Sequence, residues 1–209
     1  MKHSERTKEE LKKIKANQSE ILEFGHSSFS KRGSKVYAFD FVVIGIIKRT
    51  VSLSSAFVEL IENWNLVCTR ALLRMHVDTA IRLSAFWLHK SPQEMSKKVI
   101  GGQQINKMKD KNGNRMTDNY LVKQLSKENS WIMNVYKYTS SYIHFSEKHL
   151  FDPIAKTDNA NKIAYFLISD KDYKYPELSW YELANTFNDI YTIIFKYLNL
   201  YKKYKNILD

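Results

Sequence analysis

Only three prolines and six glycines interrupt 209 residues, and this scarcity limits the fold more than any other feature. Proline removes a backbone donor and glycine loosens a helix, so a chain nearly free of both keeps long unbroken segments. Within them the apolar residues recur at three- and four-residue intervals, the spacing of one helix face. The chain should be all-α, a helical bundle with one small β-hairpin before the C-terminal helix. At 44% hydrophobic residues it can bury a sizeable core. No repeat or low-complexity linker divides it, so residues 1–209 read as a single helical domain.

Residues 1–34 read as a charged amphipathic helix (5–24) and the Gly- and Ser-rich loop GHSSFSKRGS. Residues 36–150 form the helical core. It opens with two apolar helices, about 36–62 and 66–89, which should pack as an antiparallel pair because only residues 63–65 separate them. Ser91 and Pro92 suit an N-cap and first helical position, Gly101 and Gly102 a stop, and KDKNGN a turn. Thr117 caps a short helix, and Asn129 or Ser130 caps a longer one running to about Phe145. The β-branched and aromatic run KIAYFLIS, 162–169, reads as a strand. Its expected partner lies around 149–156, across the turn KTDNAN, so the hairpin spans 150–169. Ser179 caps the terminal helix, 179–208.

Thirty-three Lys and Arg against 22 Asp and Glu give a net charge of +11. That balance favours polyanionic partners, nucleic acid before an anionic membrane surface. Simple solubility is the alternative, because the lysines form no single block. The one cysteine, Cys68, excludes an internal disulfide and a cysteine-based zinc site and reads as a core residue, as in a reducing cytoplasm. MKHSERTKEELKKIK is charged where a signal sequence needs an apolar stretch, and the longest apolar run, FDFVVIGII, is too short to span a bilayer. The expectation is a cytoplasmic protein with no membrane insertion.

In TRALLRMHVDTAIRLSAFWL each helical residue advances roughly 100° around the axis. Arg70, Arg74, Asp78 and Arg82 then form one stripe of i, i+4 neighbours, and Leu72, Leu73, His76, Ala80, Leu83 and Trp87 the opposite arc. Val77, Ile81, Ala85 and Leu88 lie on or beside the stripe, so the helix is apolar nearly all round and should be buried. Charges on it need partners. Asp78 can pair with Arg74 or Arg82, leaving surplus positive charge. Two readings stay open: a buried Arg–Asp network joining helices, or an anion site, since the planar guanidinium fork suits phosphate. His76 reads as a core histidine with its hydrogen bonds satisfied.

A second cluster lies in YTSSYIHFSEKH, 138–149. On the same construction Trp131, Val135, Tyr138, Tyr142 and Phe145 share a core arc, while Lys137, Ser140, Ser141 and His144 share a polar one. A histidine with two hydroxyls and a lysine on one face can serve acid–base chemistry and phosphate contact; a solvated face with a capping histidine is the alternative. His144 and His149 lack the spacing of a metal-binding helix. Gly-rich phosphate loops, a nucleophile elbow and paired catalytic carboxylates are also missing.

A long arginine-bearing helix followed by a helix ending Tyr138-Thr139-Ser140-Ser141-Tyr142-Ile143-His144 resembles the divergent HEPN-like helical proteins of bacteria. The resemblance covers roughly residues 36–150 and the terminal helix. It implies an all-α bundle, often dimeric, whose active members are metal-independent endoribonucleases. Their usual signature, an Arg four to six residues before a His, is not found at His144: position 138 is Tyr and no Arg precedes His144 until Arg115. By this resemblance Arg74 of the other helix supplies the phosphate contact. His144 assists proton transfer at a ribose 2′-hydroxyl, the arginines stabilise the phosphorane, and Ser140 or Ser141 orients the phosphate. Arg70, Arg82, Lys137, Lys148 and His149 contact RNA around them, and no metal or cofactor is required. The function expected is an RNA-directed endoribonuclease or toxin-like effector in antiviral defence, acting as a homodimer. The alternative is a non-catalytic helical module that binds nucleic acid, a nucleotide or a partner protein.

Overall fold

The computed structural model describes residues 2–30 and 35–208. Its long helices are α1 (Glu5–Phe29), α2 (Ala38–Glu62), α3 (Leu66–Leu88) and α8 (Glu177–Leu208). They close a ring in which α1 packs on α2, α2 on α3, α3 on α8 and α8 back on α1. The shorter helices are α4 (Pro92–Ile100), α5 (Asp118–Leu125), α6 (Ile132–Ser140) and α7 (Glu147–Phe151), and a two-stranded antiparallel hairpin, β1 (Ile154–Asp158) with β2 (Ile163–Phe166), precedes α8. The protein is an all-α helical bundle with a small hairpin before the terminal helix.

The apolar circumference of α3 has its physical cause in this arrangement. Packing against α2, α4, α5, α6 and α8, it has no broad face left for water, and Leu73, Val77, Ala80, Ile81, Leu83 and Ala85 are all buried. One contiguous core joins these side chains to Phe39, Phe57, Trp180 and Phe187. Among the described residues, α2 alone is long and apolar enough to cross a membrane. It packs on α1, α3 and α4 and carries Asp40, 1% exposed, in an ion pair with Lys205.

Local capping explains several boundaries. Ser91 accepts from Glu94 N with Pro92 at the first position of α4, and Thr117 accepts from Tyr120 N. Gly102 and Gly113 have φ of +87° and +86°, the left-handed region where glycine carries no Cβ penalty.

Other expectations are corrected. The loop expected from residue 25 begins later: α1 runs to Phe29, because Phe29 docks against Tyr201 with ring centroids 6.0 Å apart and lies under the Lys205 ammonium. Residues 31–34 of that loop lie outside the described residues. Cys68, expected in the core, is exposed on the first turn of α3. Neither Asn129 nor Ser130 caps α6. Trp131 takes that position without a side-chain bond, and the Asn129 amide instead bonds back to Leu125 O. Ser179 lies inside α8, which starts at Glu177. The Glu177 carboxylate is held there by Ser4 N at 2.8 Å and Thr7 Oγ1 at 2.6 Å. The hairpin's first strand starts at Ile154, since 147–151 are helical. Its turn is tied by Asp158 Oδ1, which accepts from Ala160 N and Asn161 N.

Candidate anion site where α3 meets α6 and α8

The arginine stripe of α3 divides by partner. Asp78 Oδ1 lies 3.6 Å from both Arg74 Nη1 and Arg82 Nε, and Arg82 Nη2 reaches Asp118 Oδ1 at 2.5 Å. The Arg74 guanidinium also sits 4.0 Å from the Tyr136 ring centroid and donates to Ser140 Oγ at 3.4 Å. Two carboxylates thus serve Arg74 and Arg82, and the network reading of the stripe describes these two residues.

Arg70 is different. It is 5% exposed, has no carboxylate within ion-pair distance among the described residues, and its buried Nε lacks a hydrogen-bond partner. Its guanidinium carbon lies 4.6 Å from the Tyr142 ring centroid, 4.8 Å from that of Tyr175 and 5.7 Å from that of Tyr138. Burial raises the Tyr142 phenol above its ordinary pKa, against the opposing pull of Arg70. Burial and a hydrogen bond to Asp152 raise Tyr175 to about 12, again opposed by Arg70. Both phenols therefore stay neutral near pH 7; they give Arg70 ring faces, and the Tyr175 hydroxyl, itself bonded to Asp152, also accepts a hydrogen bond from the Arg70 guanidinium. Cation–π contact contributes about 2 kcal/mol at a desolvated site, whereas removing an ion from water costs several kcal/mol. Asp152 reaches Arg70 only through the Tyr175 hydroxyl, so the guanidinium has no direct ion pair among the described residues.

A cleft of about 430 Å³ opens beside it, between α3, α6 and α8, and Arg70, Asn134, Tyr138, Glu182, Asn185 and Thr186 contribute to its walls. The spacings are helical: Asn134 and Tyr138 are i, i+4 on α6, and Glu182 and Thr186 are i, i+4 on α8. The first pair was open to inspection in the sequence. Tyr175, Asp152 and the α8 residues were not, because nothing local to α3 signals what folds against it.

The 138–149 cluster is rearranged. Helix α6 stops at Ser140 and does not reach Phe145. Thr139 Oγ1, Ser140 Oγ and Ser141 Oγ donate to the carbonyls of Val135, Tyr136 and Tyr138 at 2.7, 2.6 and 3.0 Å. Such back-bonding competes for helical carbonyls, and the chain turns out instead. The arcs drawn beyond Ser140 consequently fail. Tyr138 is exposed, Phe145 is 82% exposed, and Tyr142 is half-buried over Arg70. Replacing Phe145 by Ala should change the melting free energy by no more than about 0.5 kcal/mol, as for a surface site. The same change at buried Phe39 should cost roughly 3–5 kcal/mol, and denaturant unfolding of the two variants compares them.

His144 is exposed in this turn and makes no hydrogen bond or ion pair among the described residues; no contact joins it to Arg70, Arg74 or Arg82. Lys137 and Lys148 are exposed, the latter 4.0 Å from Glu147. His149 Nδ1 accepts from Ser146 N at 3.2 Å and closes the cap of α7, with Tyr142 and Phe145 against its ring. The structure brings Arg74 to Ser140, and Arg70 to Tyr138 and Tyr142, leaving His144 outside these contacts.

His76, read as a satisfied core histidine, is in the core but not satisfied. Its ring stacks on Phe187 with centroids 3.9 Å apart and planes at 10°; neither ring nitrogen makes a hydrogen bond of good geometry, and the Phe187 backbone offers only a weak polar contact.

No protein-family model matches this chain, and neither do curated proteins or solved structures.

Proposed function

We propose that this chain is a helical module that binds phosphate-bearing ligands, RNA first among them, where α3 meets α6 and α8. The observation that carries this reading is Arg70, a buried guanidinium set among neutral tyrosine rings, with its Nε unpartnered and no carboxylate in a direct ion pair with it among the described residues. Phosphate supplies the missing charge, and the arginine fork matches its oxygens. The net charge of +11 draws polyanions to the surface. A cytoplasmic setting belongs to the proposal and rests on a single cysteine.

Fluorescence anisotropy with single-stranded RNA tests it. Affinity should fall steeply between about 50 and about 200 mM salt, because phosphate contacts release counterions. Affinity that ignores salt, or no binding at low salt, would remove this reading.

One contact favours a second reading, the metal-independent endoribonuclease. Arg74 Nε meets Ser140 Oγ at 3.4 Å, which joins the arginine helix to the segment that runs on into His144. In that reading His144 moves the ribose 2′-hydroxyl proton, Arg74 steadies the phosphate, Ser140 and Ser141 orient it, and a homodimer brings two such faces together. His144→Ala should then abolish RNA cleavage, and any toxicity on expression, while stability changes by under about 1 kcal/mol at so exposed a position. Cleavage that survives His144→Ala, or a wild-type protein that cuts no RNA, would leave binding alone.

A further inference from the structure

We infer that the cleft beside Arg70 holds one nucleotide unit bearing a terminal phosphate, with the phosphate at Arg70 and the base against Tyr138. This deepens the RNA-binding reading and rests on it. Size comes first. About 430 Å³ lies within the range of small-molecule sites and leaves no room for a duplex.

Charge selects the end group. A terminal phosphate monoester carries between one and two negative charges near neutrality and three acceptor oxygens, whereas an internal diester carries one charge and needs strand on both sides. The Arg70 side chain, with its unpartnered Nε, is suited to the former.

The walls select the rest of the unit. Tyr138 is half-exposed and lines the cleft, and base–aromatic stacking is the usual means of holding an unpaired base. Tyr181, also on the wall, is already covered by the Arg6 guanidinium at 4.1 Å. Asn134 makes no side-chain hydrogen bond among the described residues, and Asn185 donates only to Asp189. Glu182 is an acceptor alone. A carboxylate repels phosphate, so it fixes the polarity of binding: phosphate toward Arg70, base edge toward Glu182. Guanine, with a ring N–H beside an amino group, offers the donor pair a carboxylate accepts. Uracil does not.

Isothermal titration of the full chain with guanosine monophosphate, guanosine, uridine monophosphate and inorganic phosphate tests this. A short RNA with a 5′-phosphate or a 5′-hydroxyl distinguishes a strand end from a free nucleotide. Guanosine monophosphate should bind at least tenfold tighter than guanosine or uridine monophosphate. Arg70→Gln should erase the advantage over guanosine, and Glu182→Gln the advantage over uridine monophosphate. Preference for the phosphorylated RNA assigns the cleft to strand ends; binding of the mononucleotide alone assigns it to free nucleotides, and both support the inference. Equal binding of guanosine and its monophosphate overturns it, as does unchanged affinity in folded Arg70→Gln. If Arg70→Gln fails to fold, exposed Glu182→Gln and Asn134→Ala still decide, and wild-type affinity in both is a refutation. RNA binding with no mononucleotide binding overturns the cleft assignment and leaves the RNA reading standing. Mononucleotide binding with no RNA binding does the reverse.

Discussion

Acidification from pH 7 to pH 4 should destabilise this protein steeply, and His76→Leu should flatten the dependence. Burial lowers the His76 pKa to about 3, with Arg49 adding to the fall and the Phe187 backbone opposing it. In the unfolded chain the imidazole titrates near 6.5. Between those values the unfolded chain binds a proton that the folded one refuses, so stability falls as pH falls, by about 1.4 kcal/mol per unit. Above about pH 6.5 both states are neutral and the group contributes no slope. Down to pH 3 the loss sums to roughly 5 kcal/mol, comparable to the whole stability of a small domain. Asp172 and Asp189, whose pKa values burial raises, act in the opposite sense but are common to both proteins. The difference between wild-type and His76→Leu denaturation midpoints across pH 7 to 4 therefore isolates the histidine. Parallel curves would mean that the ring is hydrated or paired in solution. At neutral pH the leucine should be neutral or stabilising, since it removes two buried nitrogens that have no well-formed hydrogen bond.

The second large effect should come from Asp40. This carboxylate accepts from Tyr37 N at 3.1 Å at the start of α2, from Tyr201 Oη at 2.7 Å and from Lys205 Nζ at 2.9 Å. Lys205 is itself buried, 6% exposed. Asp40→Ala should cost roughly 3–5 kcal/mol, because it strands a buried ammonium rather than merely deleting an attraction. Asp40→Asn keeps the shape, loses the charge and should cost nearly as much. Joining it to Lys205→Met removes the stranded charge, so the double variant should recover most of the loss. Strict additivity of the two single changes in a thermodynamic cycle would show that the pair is not coupled.

What could be read in advance follows the range of the interactions concerned. Ser91, Pro92 and Thr117 were legible because capping is settled within three residues. The burial of α3 was legible because an all-round apolar helix has few other fates. The true start of α8 was not, since Glu177 is fixed by Ser4 and Thr7 from the far end of the sequence. The end of α6 at Ser140 was hidden for a different reason. Apolar spacing continues through Tyr142 and Phe145, but three consecutive hydroxyl residues claim the carbonyls and the helix stops. At the site, Asp78 between two arginines was visible as i, i+4 chemistry, whereas the surroundings of Arg70 depend on Tyr175 and Asp152, more than eighty residues downstream in a segment with no local link to α3.

The ring of long helices closes through α1 and α8, elements joined by hydrogen bonds spanning 170 and 173 positions. Helical bundles ordinarily fold fast because their contacts are local. Here the closing contact is the least local one available. As the polypeptide emerges from the ribosome, the stripe of Leu11, Ile14, Ile21 and Phe24 must wait for a partner synthesised more than 150 residues later. Over that interval α1, α2 and α3 form an incomplete assembly with an open apolar side, the kind of species that aggregates or recruits chaperones. Yield in cells should therefore depend more on translation rate and chaperone supply than on the equilibrium stability of the finished bundle.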